Sequence, residues 1–207
     1  MNNLSKQVNK EHYQFQKYVK KSRFMSYYFQ LLYIYSINPK TILEIGPGNN
    51  FLKNNLNTYF NIKTLDIDKE ISPDFIGSVD NIPLNNQSFD LVCCFQVLEH
   101  LPFSSLEKSL AELSRVSKGN VLISLPYSCL DFKLSFKIFD IPQIKLCFSI
   151  PKFYKQHKFD GQHYWEVGKF GYSLKRIINI IEKYFIIEEY KNPYENKYHI
   201  FFKLIKK

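Results

Sequence analysis

The chain has 207 residues, with 45% hydrophobic and 17% aromatic content, and 28 Lys and Arg against 19 Asp and Glu give a formal charge of +9 at pH 7. That is enough to fill one sizeable core, and it excludes a disordered chain except at the ends. No apolar run approaches the roughly 20 residues that span a bilayer, and the polar start Met1-Asn2-Asn3-Leu4-Ser5-Lys6 has no signal-peptide core, so a cytoplasmic location is expected.

The N-terminal region, residues 1–37, opens with Lys6, Lys10, Lys17, Lys20, Lys21 and Arg23 interleaved with Tyr13, Phe15 and Tyr18. Phe24, Tyr27, Tyr28, Leu31, Leu32 and Tyr35 then recur at helical spacing, which predicts an aromatic-faced helix before the first strand. Next comes Thr41-Ile42-Leu43-Glu44-Ile45-Gly46-Pro47-Gly48-Asn49-Asn50: an apolar strand, an acidic residue, a tight Gly-x-Gly turn, and then a helix over 51–56. Such a strand, if parallel, leaves bare backbone at the carboxyl edge of a sheet, where open α/β folds bind their ligands. A dinucleotide fingerprint needs a third glycine at 51, where this chain has Phe51, and Glu44 near the turn repels phosphate while attracting a cationic amine. S-adenosylmethionine, with an ammonium, a sulfonium and no phosphate, suits that turn. The next strand, over 62–66, ends in Asp66, about 20 residues beyond the glycines, the spacing of a ribose-binding carboxylate.

Glu44-Ile45-Gly46-Pro47-Gly48 resembles motif I of the class I S-adenosylmethionine-dependent methyltransferases, of the type 11-like group. The likeness continues through Gly77-Ser78-Val79-Asp80 and through Ser88-Phe89-Asp90 to Val97-Leu98-Glu99-His100, covering residues 41 to about 126. It implies an α/β, Rossmann-like sheet of seven mostly parallel strands, with helices on both faces and the last strand antiparallel. It also implies that Glu44, Gly46, Gly48 and Asp66 hold the amino acid and ribose parts of the cofactor. Ser78, Val79 and Asp80 then meet the adenine, with Asp80 two residues beyond the position where relatives carry an Asp. Asn50 stands where many relatives have a third glycine and tolerates the left-handed turn. Gln96, at the end of the fourth strand, lines the cofactor or substrate pocket, while Glu99 and His100 read as loop architecture.

One domain over 1–207 is expected, with a cofactor core at 38–126, a cap or substrate insert at 127–172, and a C-terminal helix and strand pair at 173–207. A helix after Pro102 is given a capping box at Ser104 and Glu107, a stripe of Leu106, Leu110, Leu113 and Val116, and a stop at Gly119. A buried strand over 121–125, a helix over 174–184 and strands over 185–190 and 198–204 follow. Cys93, Cys94, Cys129 and Cys147 show no metal spacing, so neither zinc nor a disulfide is expected, and no metal site is assigned.

The insert is rich in Phe and Lys and reads as a lid that excludes water from the transferred methyl group. Its one reactive cluster is Asp160-Gly161-Gln162-His163-Tyr164-Trp165-Glu166, with His163 as a base for a substrate hydroxyl and Glu166 orienting it or serving as the base itself. This run and Tyr198-His199-Ile200-Phe201-Phe202 are similar to methyltransferase-domain proteins of bacterial surface-polysaccharide gene clusters, which implies a small-molecule, sugar or glycan acceptor. His12, His157 and His199 read as surface or packing residues. The charge keeps RNA or protein methylation through the basic N-terminal helix as an alternative, and a non-catalytic cofactor-binding scaffold as another. DNA base methylation is disfavoured, because Gln96-Val97-Leu98-Glu99 replaces the Asn/Asp-Pro-Pro-Tyr/Phe run that such chemistry uses.

Overall fold

The structure is a computed structural model that describes residues 20–140 and 142–207. The basic residues Lys6, Lys10 and Lys17, the aromatics Tyr13, Phe15 and Tyr18, and His12 lie outside the described residues. After helix α1 (Lys21–Ile37), strands β1 (Thr41–Ile45), β2 (Asn61–Asp66), β3 (Phe75–Ile76), β4 (Phe89–Phe95) and β5 (Ser117–Pro126) alternate with helices α2 (Phe51–Leu56) and α3 (Leu106–Val116). A hairpin, β6 (Cys129–Phe136) and β7 (Ile144–Pro151), precedes helix α4 (Leu174–Ile181) and strands β8 (Phe185–Lys191) and β9 (His199–Lys206).

The main sheet has seven strands in the order β3-β2-β1-β4-β5-β9-β8. The pairs from β3 to β5 are parallel, and β9 runs antiparallel to both β5 and β8. Parallel strands need both faces covered, so their sequences read as nearly continuous apolar runs. Adjacent residues therefore serve different layers. Leu91 and Cys93 join Phe29, Tyr33, Ile34, Leu52 and Leu56 on the face under α1 and α2. Val92 and Cys94 join Leu106, Leu110, Leu113, Val116, Ile177 and Ile181 under α3 and α4. The two adjacent cysteines point to opposite faces as expected, and all four cysteines are free thiols.

Three local expectations are corrected. Helix α1 is present, but Phe24, Tyr28, Leu32 and Tyr35 of the expected stripe are exposed, while Ser26, Tyr27, Phe29, Gln30, Tyr33 and Ile34 face the sheet. The helix is apolar nearly all round, so periodicity alone did not select its inner face. The capping box does not form: a short turn over Phe103–Ser105 precedes α3, whose cap Ser105 makes no side-chain cap bond, and Glu107 pairs with Lys183 instead. Gly119 does not stop the helix, which ends at Val116, and lies within β5.

The insert divides into two parts. Strands β6 and β7 form a separate two-stranded sheet. The stretch around Trp165 is not a loose lid: Trp165 is fully buried, donates from Nε1 to the Leu101 carbonyl at 3.1 Å, and packs edge-on to Phe103. Val167 donates to Pro126 and accepts from Ser128, which ties this run to the end of β5. Gly168 is required there, because its φ is +90° and a Cβ would meet the Ser128 carbonyl oxygen at 2.6 Å.

The two faces of α1 give a direct check. Ile34→Ala should lower stability by about 2–5 kcal/mol through an unfilled cavity. Leu32→Ser should change it by no more than about 0.5 kcal/mol. Chemical denaturation of both variants measures the difference, and equal losses would place the core on the wrong face of the helix.

Candidate functional site

Four strand ends converge at the carboxyl edge of the sheet. β1 ends in Glu44-Ile45 and turns through Gly46 (φ 66°) and Gly48 (φ 55°) into Asn50, also left-handed at φ 57°. A Cβ on Gly46 would sit 2.4 Å from Val97 Cγ2, so the turn and the end of β4 approach as closely as backbone allows. Asn49 Oδ1 accepts from the Phe51 N–H at 3.3 Å and the Tyr27 hydroxyl at 3.1 Å. The Tyr27 ring stacks on Phe51 with centroids 3.9 Å apart, so α1 clamps the turn from outside.

Glu44 is buried beneath this turn, and its Oε2 has no hydrogen-bond partner among the described residues. Burial pushes its carboxyl up to about 8, opposed by the charge of Lys53. A buried acceptor of this kind requires a donor, and a cationic ammonium supplies both a proton donor and charge. Asp66, at the end of β2, is half-buried, and burial raises its pKa against the Asp68 N–H, which donates to Oδ1 at 2.8 Å. The Gly77 N–H donates to the Asp66 carbonyl at 3.0 Å, which brings the loop carrying Ser78, Val79 and Asp80 beside it.

That loop is held from below. Arg115 of α3 donates to the carbonyls of Ile82 and Leu84 and pairs with Glu112, whose Oε2 accepts from the Ile82 N–H at 2.7 Å. The Ser78 hydroxyl donates to Asp80, and Lys108 approaches Asp80 at 3.7 Å. The Val79 side chain is buried in the core, so what it offers at the surface is backbone. Gln96 sits in the left-handed region at φ 57°, and its Nε2 donates to Ser124 Oγ at 3.2 Å, which fixes the side chain across the ends of β4 and β5.

The structure brings the second group, His163 and Glu166, to the same edge. The Tyr164 N–H donates to the Glu99 carbonyl at 2.9 Å, and Asp160 accepts from the backbone N–H groups of Gln162 and His163. Glu166 Oε1 accepts from His163 Nδ1 and from the Tyr198 hydroxyl, both at 3.2 Å, and Oε2 lies 2.8 Å from Lys169 Nζ. Burial alone would raise this carboxyl, but the hydrogen bonds from His163 and Lys169 outweigh it and hold Glu166 at about 2. Glu166 is therefore a fixed negative charge, suited to orienting His163 and not to accepting a proton. Burial favours a neutral His163, yet the Glu166 hydrogen bond and the charges of Glu99 and Glu166 raise its pKa overall.

Glu99 is the residue that sequence reasoning passed over. It is fully buried, and neither carboxylate oxygen has a hydrogen-bond partner among the described residues. Burial raises it to about 7, opposed by the charge of His163. Glu99, His100 and His163 each present one ligand-capable atom within 4.8 Å of the others, as do Asp160, His163 and Glu166. His100 Nδ1 is 3.0 Å from the Gln162 carbonyl, and burial together with the charge of His163 keeps its ring neutral, with a pKa of about 4. His157 bridges Lys169 and the His163 carbonyl, and His199 is buried against Ser26, so neither is a surface residue.

Residues 43–125 match the family described as methyltransferase domain. No curated protein matches the chain in sequence. Among solved structures, a protein from Pyrococcus horikoshii OT3 is similar at 12% identity with a TM-score of 0.62, covering 97% of this chain and 100% of that one. An S-adenosylmethionine-dependent methyltransferase from Clostridium acetobutylicum is similar at 12% identity and a TM-score of 0.59, covering 94% and 95%. The Burkholderia thailandensis 1,6-didemethyltoxoflavin-N1-methyltransferase, with bound 1,6-didemethyltoxoflavin and S-adenosylhomocysteine, is similar at 11% identity and a TM-score of 0.56, covering 90% and 86%. These likenesses show the fold. Among the described residues no helix is long and apolar enough to cross a membrane.

The state of His163 is directly measurable. Its ring should titrate above the ordinary 6.5 in the wild type. In Glu166→Gln, where both charge and acceptor strength fall, it should titrate lower than in the wild type. Ring-proton NMR from well below to well above the ordinary imidazole value of about 6.5 reads both, and an unchanged midpoint would remove Glu166 as the orienting group.

Proposed function

We propose that the chain, whose residues 43–125 match the methyltransferase domain family, is a class I S-adenosylmethionine-dependent enzyme that methylates a hydroxyl of a small molecule or sugar precursor, with His163 receiving the proton. The observation that carries this reading is the convergence of His163, held by Glu166, with the unpartnered Glu99 carboxylate at the strand edge that also bears Glu44 and Asp66.

The residues fit the cofactor. The orphaned Glu44 oxygen suits its ammonium, Asp66 its ribose hydroxyls, and the Gly46 and Gly48 backbone the close approach of the chain between them. The loop of Ser78, Val79 and Asp80 lies beside Asp66 on the adenine side, and Gln96 closes the floor between β4 and β5. S-adenosylmethionine supplies a methyl group on a sulfonium, which leaves as a neutral thioether.

His163, in its neutral form and held by Glu166, would take the proton of an acceptor hydroxyl placed beside it. The imidazolium so formed is stabilised by Glu166, already ionised and anchored by Lys169 and Tyr198. Glu99, when ionised, accepts from a second hydroxyl and sets the acceptor's orientation. Placing the nucleophile in line contributes more than proton transfer does in a displacement with so good a leaving group. The raised pKa of His163 puts its base form higher in pH than an ordinary histidine, so turnover should climb through that range and level off.

Transfer of labelled methyl groups to a panel of sugars, glycan precursors and small phenols tests the proposal. His163→Ala should lower kcat by about 10²–10⁴-fold, and Glu99→Gln should act mainly on KM for the acceptor. Methylation of amines or ring nitrogens alone, the class named for the Burkholderia neighbour, would overturn the hydroxyl assignment. Turnover unaffected by His163→Ala would overturn its role as base.

A further inference from the structure

The hairpin of β6 and β7 has a face that the methyl-transfer site does not use. Its register places Leu130 opposite Ile150, Phe132 opposite Phe148, Leu134 opposite Leu146, and Phe136 opposite Ile144. In an antiparallel pair, directly opposed residues project from the same side, and every second residue shares it. All eight apolar side chains therefore lie on one face. The other face carries Asp131, Lys133, Ser135, Lys145, Cys147 and Ser149, and it is the face that meets the rest of the protein: Lys145 pairs with Glu195 at 2.6 Å, and Lys133 and Lys145 both approach the Tyr194 ring.

This arrangement inverts the usual one, in which a sheet turns its apolar side inward. Phe132 is 61% exposed, Phe148 66%, and Phe139 at the tip 90%. Burying such a face in an apolar surrounding is favourable, and water supplies none of that gain. Lys137 at the tip and Lys152, Lys155 and Lys158 just beyond β7 add cationic heads, and among the described residues none of the four is ion-paired.

We propose that this hairpin docks the protein on the surface of an anionic lipid bilayer, apolar face down, with its lysines among the headgroups. Charge decides between this occupant and a second copy of the chain. Two copies packed face to face would set two +9 molecules against each other, whereas anionic lipid answers both the apolar face and the positive charge. The hairpin's outer edges keep unpaired backbone groups, so it lies in the wet interfacial layer and does not enter the hydrocarbon. It leaves the sheet at the end of β5, the edge that bears the cofactor turn. The inference stands without the acceptor assignment.

Sedimentation of the full chain with lipid vesicles tests it. The wild type should pellet with vesicles of equimolar phosphatidylglycerol and phosphatidylcholine, weakly or not at all with phosphatidylcholine alone, and less as salt is raised. The double variant Phe132→Ser with Phe148→Ser should lower the partition coefficient at least about tenfold. Lys155→Glu with Lys158→Glu should weaken binding to the anionic vesicles. Both pairs are on the surface, and retained S-adenosylmethionine binding reports that each variant is folded. A wild type that stays in the supernatant with both vesicle types would overturn the proposal. So would a phenylalanine variant that binds like the wild type, or a lipid-free dimer in sedimentation velocity that the same variant abolishes.

Discussion

Two carboxylates removed from water at one edge of a parallel sheet organise this molecule. Glu44 and Glu99 are buried beside strand ends, and among the described residues Glu44 keeps one oxygen, and Glu99 both oxygens, without a hydrogen-bond partner. An unsatisfied buried polar group costs roughly 1–3 kcal/mol, more if ionised. Folding tolerates that because the rest of the edge is over-determined: α1 clamps the glycine turn through Tyr27, α3 pins the 77–84 loop through Arg115, and Trp165 locks the 163–168 run onto Leu101, just past the turn that follows β4. The destabilised groups sit where the surrounding contacts leave them no freedom to retreat, which is the physical meaning of a preorganised site.

The carboxylates near this edge divide by environment. Glu44 and Glu99 are raised by burial with little compensation, while Glu166 is buried too but surrounded by three donors, and so is held fully ionised. The first kind awaits a ligand; the second serves a neighbouring side chain. That contrast in surroundings, and not the identity of the residues, sets Glu44 and Glu99 apart from Glu166.

Much of the sheet was legible because parallel strands announce themselves as short apolar runs ended by Gly, Asn and Asp. The strands at 41–45 and 61–66 fell nearly where the runs placed them. Helix α1 hid its inner face because apolar residues surround it, so only packing against Phe201 and Leu52 selected Tyr33 and Ile34. His163 and Glu166 were visible as neighbours in sequence. Their partners Glu99 and Tyr198 come from the turn after β4 and the start of β9, a juxtaposition that strand order creates and no local pattern encodes. The alternation of Leu130, Phe132, Leu134 and Phe136 did encode a strand, but reading the insert by composition concealed it.

The central claim is that Glu44 is protonated in the free protein near neutral pH and gives up its proton when a cationic cofactor arrives. Titration calorimetry of S-adenosylmethionine binding at pH 7, in buffers of differing ionisation enthalpy, counts that proton. The account predicts net proton release on binding, with affinity that strengthens as pH rises toward 8, and loss of most of that release together with weaker binding in Glu44→Gln. Binding with no proton release in the wild type, or with the same release in Glu44→Gln, would contradict it.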